Sequence, residues 1–537
     1  MTSTPGGASP GAAATELVFT IDLGTSGPKV ALFSVDGRYV AGEFEPVDLV
    51  LEPPDGVEQR PSDWWAAIGR AAQRLSRSHP DLSAVVAVAV TSQWSGTVAV
   101  DESGEPLMNA VIWMDARGAR ATRRIAKGRF NVAGYDPRKL RRWISLTGGA
   151  PSHSGKDPIS HILWIESERP DIARATKCYL EPKDWINARL TGRMVATFDS
   201  IAVHWLTDNR DPERIDYSPV LLSQSRVDRS KLPDLIAATD IVGPLLDSAA
   251  AVLGLPPGIP VIGGTPDVQS AAVGSGAVRD GEGHLYVGTS SWVSGHVRDK
   301  KTDLTRGIAS LPSPLPGRYF IANEQETAGE CLNFLRDRVL WPDDRLGSGP
   351  PPGDAYARID ELAASAPPGS NGVMFFPWLV GERTPVDDHH LRAAWANVSL
   401  SSTRADLVRS VLEGVALNTR WLLGGVEKFR GGEFPWLHFI GGGARSPLWS
   451  QMFADVLDRE IRVVEDPIRA NGRGAALLAG LALGRLDIDG VAAAVPIADT
   501  YRPNPAHRAV YDTAFRDFVS FHKHTKGWFR ARHKGVR

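Results

Sequence analysis

Only two cysteines, Cys178 and Cys331, occur in 537 residues. They cannot build a disulfide framework and lack metal-ligand spacing, so a reducing cytoplasmic setting is expected. No stretch approaches the roughly 18 uninterrupted apolar residues of a membrane span. Neither sign of charge dominates, since 60 Lys and Arg stand against 62 Asp and Glu. That balance removes the electrostatic case for nucleic acid or an anionic membrane as partner. Residues 1–15 hold no Lys or Arg and no long apolar run, unlike a signal peptide, and read as a disordered leader. The basic end from Lys523 to Arg537 reads as a solvated tail, delimited as residues 526–537, with an anion-binding patch as the alternative.

Glycine, by contrast, is plentiful and stands at the ends of apolar runs. The run Phe19 to Leu23 closes on Gly24-Thr25-Ser26 and resumes at Val30; Leu285 to Val287 closes on Gly288-Thr289-Ser290 and resumes at Ser291. Each reads as strand, tight turn, strand. Such a tip suits an oxyanion, because glycine lets backbone N–H groups approach and Thr and Ser add donors. A single tip of this kind is more often an ordinary turn. Thr25 and Thr289, however, lie 264 positions apart, about half the chain, which predicts two similar halves sharing one cleft.

Other apolar, β-branched runs, Val85–Val90, Ile259–Ile262, Leu437–Ile440 and Ile461–Val464, have the continuous hydrophobicity of strands buried on both faces. Between them lie helical stretches. The longest runs from Ser402 to Leu423, opened by a capping-box variant at Thr403 to Asp406; another is the alanine-rich segment Ala475–Leu483. Pro/Gly-rich loops are expected at Leu311–Gly317 and Gly347–Gly353, and a hinge at Gly274–Ala277. The fold class is α/β, in two domains, 16–276 and 277–525.

Chemistry is suggested where strands end in glycines. Gly263-Gly264-Thr265-Pro266-Asp267 places one carboxylate in such a turn, although many residues so placed only cap a helix. Gly441-Gly442-Gly443-Ala444 offers a side-chain-free surface for a flat ring, and the following helix offers its amides. Transfer of a phosphoryl group to a hydroxyl needs a carboxylate to take the proton, Mg²⁺ near the phosphates and donors around the transferred group. Asp267 suits the first task and Asp22 the second, through water. Lys29 suits phosphate neutralisation, or is merely an exposed strand lysine.

In this order and spacing, Asp22-Leu23-Gly24-Thr25-Ser26 with Lys29, the Gly263 to Asp267 turn, Gly288-Thr289-Ser290 and Gly441 to Ser446 resemble the FGGY carbohydrate kinases. Glu181-Pro182-Lys183-Asp184-Trp185 with Leu190-Thr191-Gly192 is similar to that family's Pro-Lys-Asp-Tyr and Leu-Thr-Gly stretch. The resemblance extends from about Val18 to Arg485. It implies two actin-like (ribonuclease H-like) ATPase domains with a central cleft, ATP and Mg²⁺, and phosphorylation of a sugar or polyol. By matching position it implies Asp267 as catalytic base and Asp22 as the metal-associated carboxylate. Gly24, Thr25, Ser26, Lys29, Gly288 and Thr289 fall at the phosphates, and Gly442, Gly443 and Ala444 at the adenosine.

The xylulokinase-like members look most similar, through Trp113-Met114-Asp115-Ala116-Arg117, and a ketopentose is the expected substrate class. The expected sugar wall comprises Gln93, Trp94, Ser95, Asp115, Arg117 and Asp267. It departs from the xylulokinase pattern, which has Met-His where this chain has Trp94-Ser95 and Asn where it has Val268. Trp94 either covers an apolar sugar face or packs behind the pocket. Rival expectations are a kinase for another polyol or hexulose, and a non-catalytic actin-like nucleotide-binding or regulatory protein. A homodimer is a further expectation.

Overall fold

The apolar runs become two sheets built to one plan, in a computed structural model that describes residues 15–79, 81–347 and 349–533. In the first half, β1 (Leu17–Gly24) and β2 (Gly27–Ser34) form the hairpin, with β3 (Tyr39–Phe44) beyond it. On its other side β1 pairs in parallel with β4 (Val85–Ser92), which pairs in parallel with β6 (Pro260–Pro266); β5 (Ile241–Pro244) closes the edge antiparallel. The order is β5-β6-β4-β1-β2-β3.

The second half repeats this plan. Here β7 (Gly283–Val287) and β8 (Ser291–Val297) form the hairpin. β7 pairs in parallel with β12 (Trp436–Ile440), β12 with β13 (Glu460–Val464), and β14 (Ile497–Tyr501) closes the edge antiparallel. Beyond β8 lie β11 (Tyr319–Ala322), β10 (Ile308–Pro312) and β9 (Thr302–Asp303). The interior positions of β1, Val18 to Leu23, are all buried, as a central parallel strand requires.

Helices cover the sheets. α1 (Pro61–Ser78) and α2 (Pro182–Thr191) belong to the first half, and Trp64 of α1 packs edge-on against Trp185 of α2. In the second half α4 (Arg404–Arg430) starts at the capping box, where the Thr403 hydroxyl accepts from the Asp406 amide and the Asp406 carboxylate accepts from the Thr403 amide. α5 (Pro447–Leu457) follows the triple glycine.

Two helices lie between the sheets. α3 (Asp267–Gly274) comes from the first half, and α6 (Ala470–Ala482) from the second. Ala475, Ala476 and Ala479 of α6 pack with Val18, Phe33, Ala87 and Ile262 of the first sheet, while Ala271 and Val273 of α3 join Ile440 and Val464 of the second. Small residues permit the crossing. A Cβ on Gly274 would stand 1.8 Å from the Ala470 carbonyl oxygen, and one on Gly474 1.8 Å from that of Ser270.

Two expectations need correction, while the expected hinge at Gly274–Ala277 starts where Gly274 ends α3 inside the crossing and continues as a turn whose buried Ser275 carbonyl accepts from His438. Leu311 and Pro312 belong to β10 rather than to a loop. The basic end, through Arg532, continues α7 (Arg508–Arg532), where Phe529 is buried and Arg530 pairs with Asp388 at 2.9 Å. Burial of Phe529 makes this segment part of the fold. Residues 534–537 of the expected tail and all but the last residue of the expected leader lie outside the described residues.

Candidate active site

Both hairpin tips stand at the C-terminal ends of central parallel strands, and so does the turn that presents Asp267. At the first tip Asp22 and Lys29 are cross-strand partners, with Lys29 Nζ 3.3 Å from Asp22 Oδ2. Asp22 is buried, while the Lys29 side chain is 57% exposed. The Asp22 carboxylate holds the Lys29 ammonium above the usual lysine pKa.

Thr25 is fixed from two sides. Its hydroxyl donates to Gln93 Oε1 at 3.1 Å and accepts from the Trp113 indole at 3.0 Å. Gln93 Nε2 donates to Gln59 Oε1 at 2.8 Å, and Gln59 Nε2 donates to the Thr25 carbonyl at 2.8 Å. The loop through Thr25, Gln93 and Gln59 is closed, and both the hydroxyl and the carbonyl of Thr25 are engaged in it. Gln59 and Trp113 were not among the expected site residues. Their part becomes visible only when strands far apart in sequence meet.

The second tip is held differently. The amides of Ala328 and Gly329 donate to the carbonyls of Thr289 and Gly288, each at 2.8 Å, which anchors the turn from behind and leaves Thr289 exposed. At the triple glycine, Gly441 has φ +92°, and a Cβ there would meet the Val287 carbonyl oxygen at 2.5 Å. Gly442 faces open space, with nothing within 4 Å of a Cβ. Ala444 is buried. The result is a bare backbone ledge beside β7.

Asp267 is half-buried at the N-terminus of α3, its Oδ1 accepting from the Val268 amide at 2.8 Å. Loss of surrounding water, followed by the Asp22 charge, pushes its carboxyl up from 3.8 to about 7. Lys29 and the Val268 amide act in the opposite direction. A carboxyl so poised changes protonation near neutrality, which suits acid–base work. Asp22 and Asp267 supply oxygen donors of the kind Mg²⁺ accepts through water. Among the described residues no three His, Cys, Asp or Glu side chains gather into a metal site.

The residues expected on the sugar side differ in exposure. Trp94 and Ser95 are half-buried; the Trp94 indole donates to the Ser200 carbonyl at 2.8 Å and the Ser95 hydroxyl to the Lys156 carbonyl at 3.0 Å. Gln93 is only 2% exposed, and its amide is engaged with Thr25 and Gln59. Asp115 is fully buried, accepting from the Val57 and Arg117 amides at 2.9 Å each. The Arg117 guanidinium lies between Asp115 and Glu58, at 2.7 and 2.6 Å, and stacks 3.9 Å over Trp164. The polar groups of Gln93, Asp115 and Arg117 are thus already paired within the protein, Gln93 with Thr25 and Gln59, and Arg117 with Asp115 and Glu58. Val268 packs against the apolar cluster containing Trp292. Across the cleft stand Glu324, whose charge reaches Asp267, and Arg383, paired with Glu324 and Glu326.

Two duplicated sheets that bring two glycine-bearing hairpin tips and a strand-end carboxylate to one cleft have the architecture of the actin-like phosphotransferases. Family comparison agrees: the model of the FGGY family of carbohydrate kinases, N-terminal domain, matches residues 17–274, and that of its C-terminal domain matches residues 284–483. The chain belongs to the FGGY family of carbohydrate kinases. It is an ATP-dependent carbohydrate kinase. It is 27% identical to a xylulose kinase of Staphylococcus epidermidis over 516 residues, covering 95% of this chain and 97% of that one. To a gluconokinase of Bacillus subtilis it is 26% identical over 498 residues, 91% and 92% of the two chains. The crystal structure of xylulose kinase from Rhodospirillum rubrum superposes with a TM-score of 0.81 at 26% identity, covering 96% of this chain and all of that one. Among the described residues no helix is long and apolar enough to cross a membrane.

Proposed function

We propose that the chain transfers the γ-phosphoryl group of ATP to a hydroxyl of a ketopentose, with Asp267 as general base. The observation that carries this reading is the placement of Asp267, half-buried at a strand end, beside the Asp22–Lys29 pair and with its carboxyl raised to about 7. A carboxylate there accepts the proton as the hydroxyl attacks. Lys29 and the tip amides at Gly24 to Ser26 and Gly288 to Thr289 carry the charge of the phosphates. The ledge at Gly442 to Ala444 receives the adenosine. Mg²⁺, when bound, would neutralise charge developing on the phosphates, and Asp22 would hold it through water.

The xylulose kinases among the relatives support a ketopentose, and the gluconokinases keep a sugar acid in view. The test is ATP consumption across pentuloses, hexuloses, pentitols, tetritols and aldonates. Turnover led by a pentulose supports the reading. A ranking led by an aldonate or hexulose transfers the same chemistry to another substrate, and silence across the panel refutes it.

A further inference from the structure

Lys183 and Asn187 stand one turn apart on α2, and both donate to one acceptor. Lys183 Nζ lies 2.9 Å, and Asn187 Nδ2 2.8 Å, from the carbonyl oxygen of Gly263. That carbonyl sits where the pairing of β6 with β4 slips between Ile262 and Thr265, just ahead of Asp267. Gly264 completes the slip with φ +72°, and a Cβ there would fall 2.0 Å from the Val90 carbonyl oxygen. One residue on, the Thr265 hydroxyl donates to the buried Asp199. The turn that delivers Asp267 is thus clamped from behind by side chains of α2 and of the segment following it.

The clamp is charged and dry. Lys183 and its partner Asp184 are each 1% exposed. A buried ion pair is a poor source of stability, because desolvating two charges offsets much of their attraction. Here both members are held in place by further hydrogen bonds, Lys183 to the Gly263 carbonyl and Asp184 from the Ser200 hydroxyl. The pair also extends toward the sugar wall: Asp184 accepts from the Ser200 hydroxyl at 2.6 Å, and the Ser200 carbonyl accepts the Trp94 indole N–H at 2.8 Å. One polar chain therefore runs from Trp94 through Ser200, Asp184 and Lys183 to the turn below Asp267.

We propose that Lys183 is a positioning residue for phosphoryl transfer, fixing the Gly263–Pro266 turn and so the approach of the Asp267 carboxylate to the substrate hydroxyl. This rests on the reading of Asp267 as base. A displacement of about 1 Å at a reacting group costs on the order of 10²-fold in rate. Lys183→Met keeps the side-chain length while removing donor and charge, so kcat falls by about that factor with KM for ATP unchanged.

The test is a double-mutant cycle, run with the panel sugar that gives the fastest turnover. In an Asp267→Asn background Lys183→Met changes kcat little, because a residue that acts through Asp267 has nothing left to position. Equal losses in both backgrounds, or an effect confined to KM, overturn the proposal. Lys183→Met also strands the buried Asp184, so Asn187→Leu serves as an uncharged second probe at the same carbonyl. It gives a smaller loss of kcat with the same dependence on Asp267, and unchanged kcat in Asn187→Leu also overturns the proposal. Asp267→Asn alone separates the two readings: near-normal turnover there removes the base itself, whereas a slow Asp267→Asn that still loses the full Lys183→Met factor removes only the positioning.

Discussion

The indole N–H of Trp94 donates to the Ser200 carbonyl at 2.8 Å, while the ring stays half-buried at the proposed sugar wall. The ring is pinned at one edge, so its exposed part presents a fixed apolar surface. Replacing Trp94 by Met and Ser95 by His restores the pair that xylulokinases carry. Ser95 has φ +64°, a left-handed conformation that His adopts more readily than most residues. The substrate ranking should shift toward ketopentoses with KM for ATP unchanged, at a stability cost of about 1 kcal/mol for the lost indole hydrogen bond. An unchanged ranking places specificity elsewhere.

The glycine ledge yields a contrast between neighbours. A side chain on Gly442 enters open space, so Gly442→Leu should fold normally and raise KM for ATP by occupying the adenosine's place. A Cβ on Gly443 meets Val287 Cγ1 at 2.8 Å, so Gly443→Ala should lower Tm. Thermal melts and ATP titrations of the two variants check both; unaltered ATP affinity in Gly442→Leu removes the ledge from the nucleotide site.

Much of this was legible because it is local. A strand followed by Gly24-Thr25-Ser26, or Thr403 followed at the third position by Asp406, carries its own turn or cap chemistry. The framing contacts were not legible. Gln93 reads as a free amide until Gln59, far away on the chain, and Thr25 are seen to engage it. Asp115 and Arg117 read as a ligand pair until Glu58 and the Val57 amide close the network. Glycine composition at Gly274 likewise does not reveal the helix crossing, where the absence of a side chain permits contact with Ala470.

That crossing gives a stability prediction. A Cβ on Gly474 would fall 1.8 Å from the Ser270 carbonyl oxygen, so Gly474→Val should destabilise by at least about 1–3 kcal/mol through overpacking. Calorimetry reads the loss. A variant as stable as the parent would mean that α3 and α6 separate easily.

The raised carboxyl of Asp267 gives opposite pH effects on activity and stability. Its folded pKa of about 7 exceeds the ordinary 3.8, so the fold binds the proton more tightly than the unfolded chain does. Stability from this group is present at low pH and is lost as pH rises toward about 7. Activity runs the other way, because a base must be deprotonated: kcat/KM should climb through about pH 7 and level off above it. Asp267→Asn should therefore raise Tm at about pH 8 and leave it unchanged at about pH 4. An equal change at both pH values would mean that burial does not strain this carboxyl.

Parallel turnover measurements on the parent and Asp267→Asn decide whether Asp267 takes the proton from the attacking sugar hydroxyl. Asparagine keeps the side chain's shape but accepts no proton. With the best sugar of the panel, sugar phosphate formation should fall by about 10²–10⁴-fold, with the dissociation constant for ATP nearly unchanged. Near-normal turnover of Asp267→Asn would contradict that role.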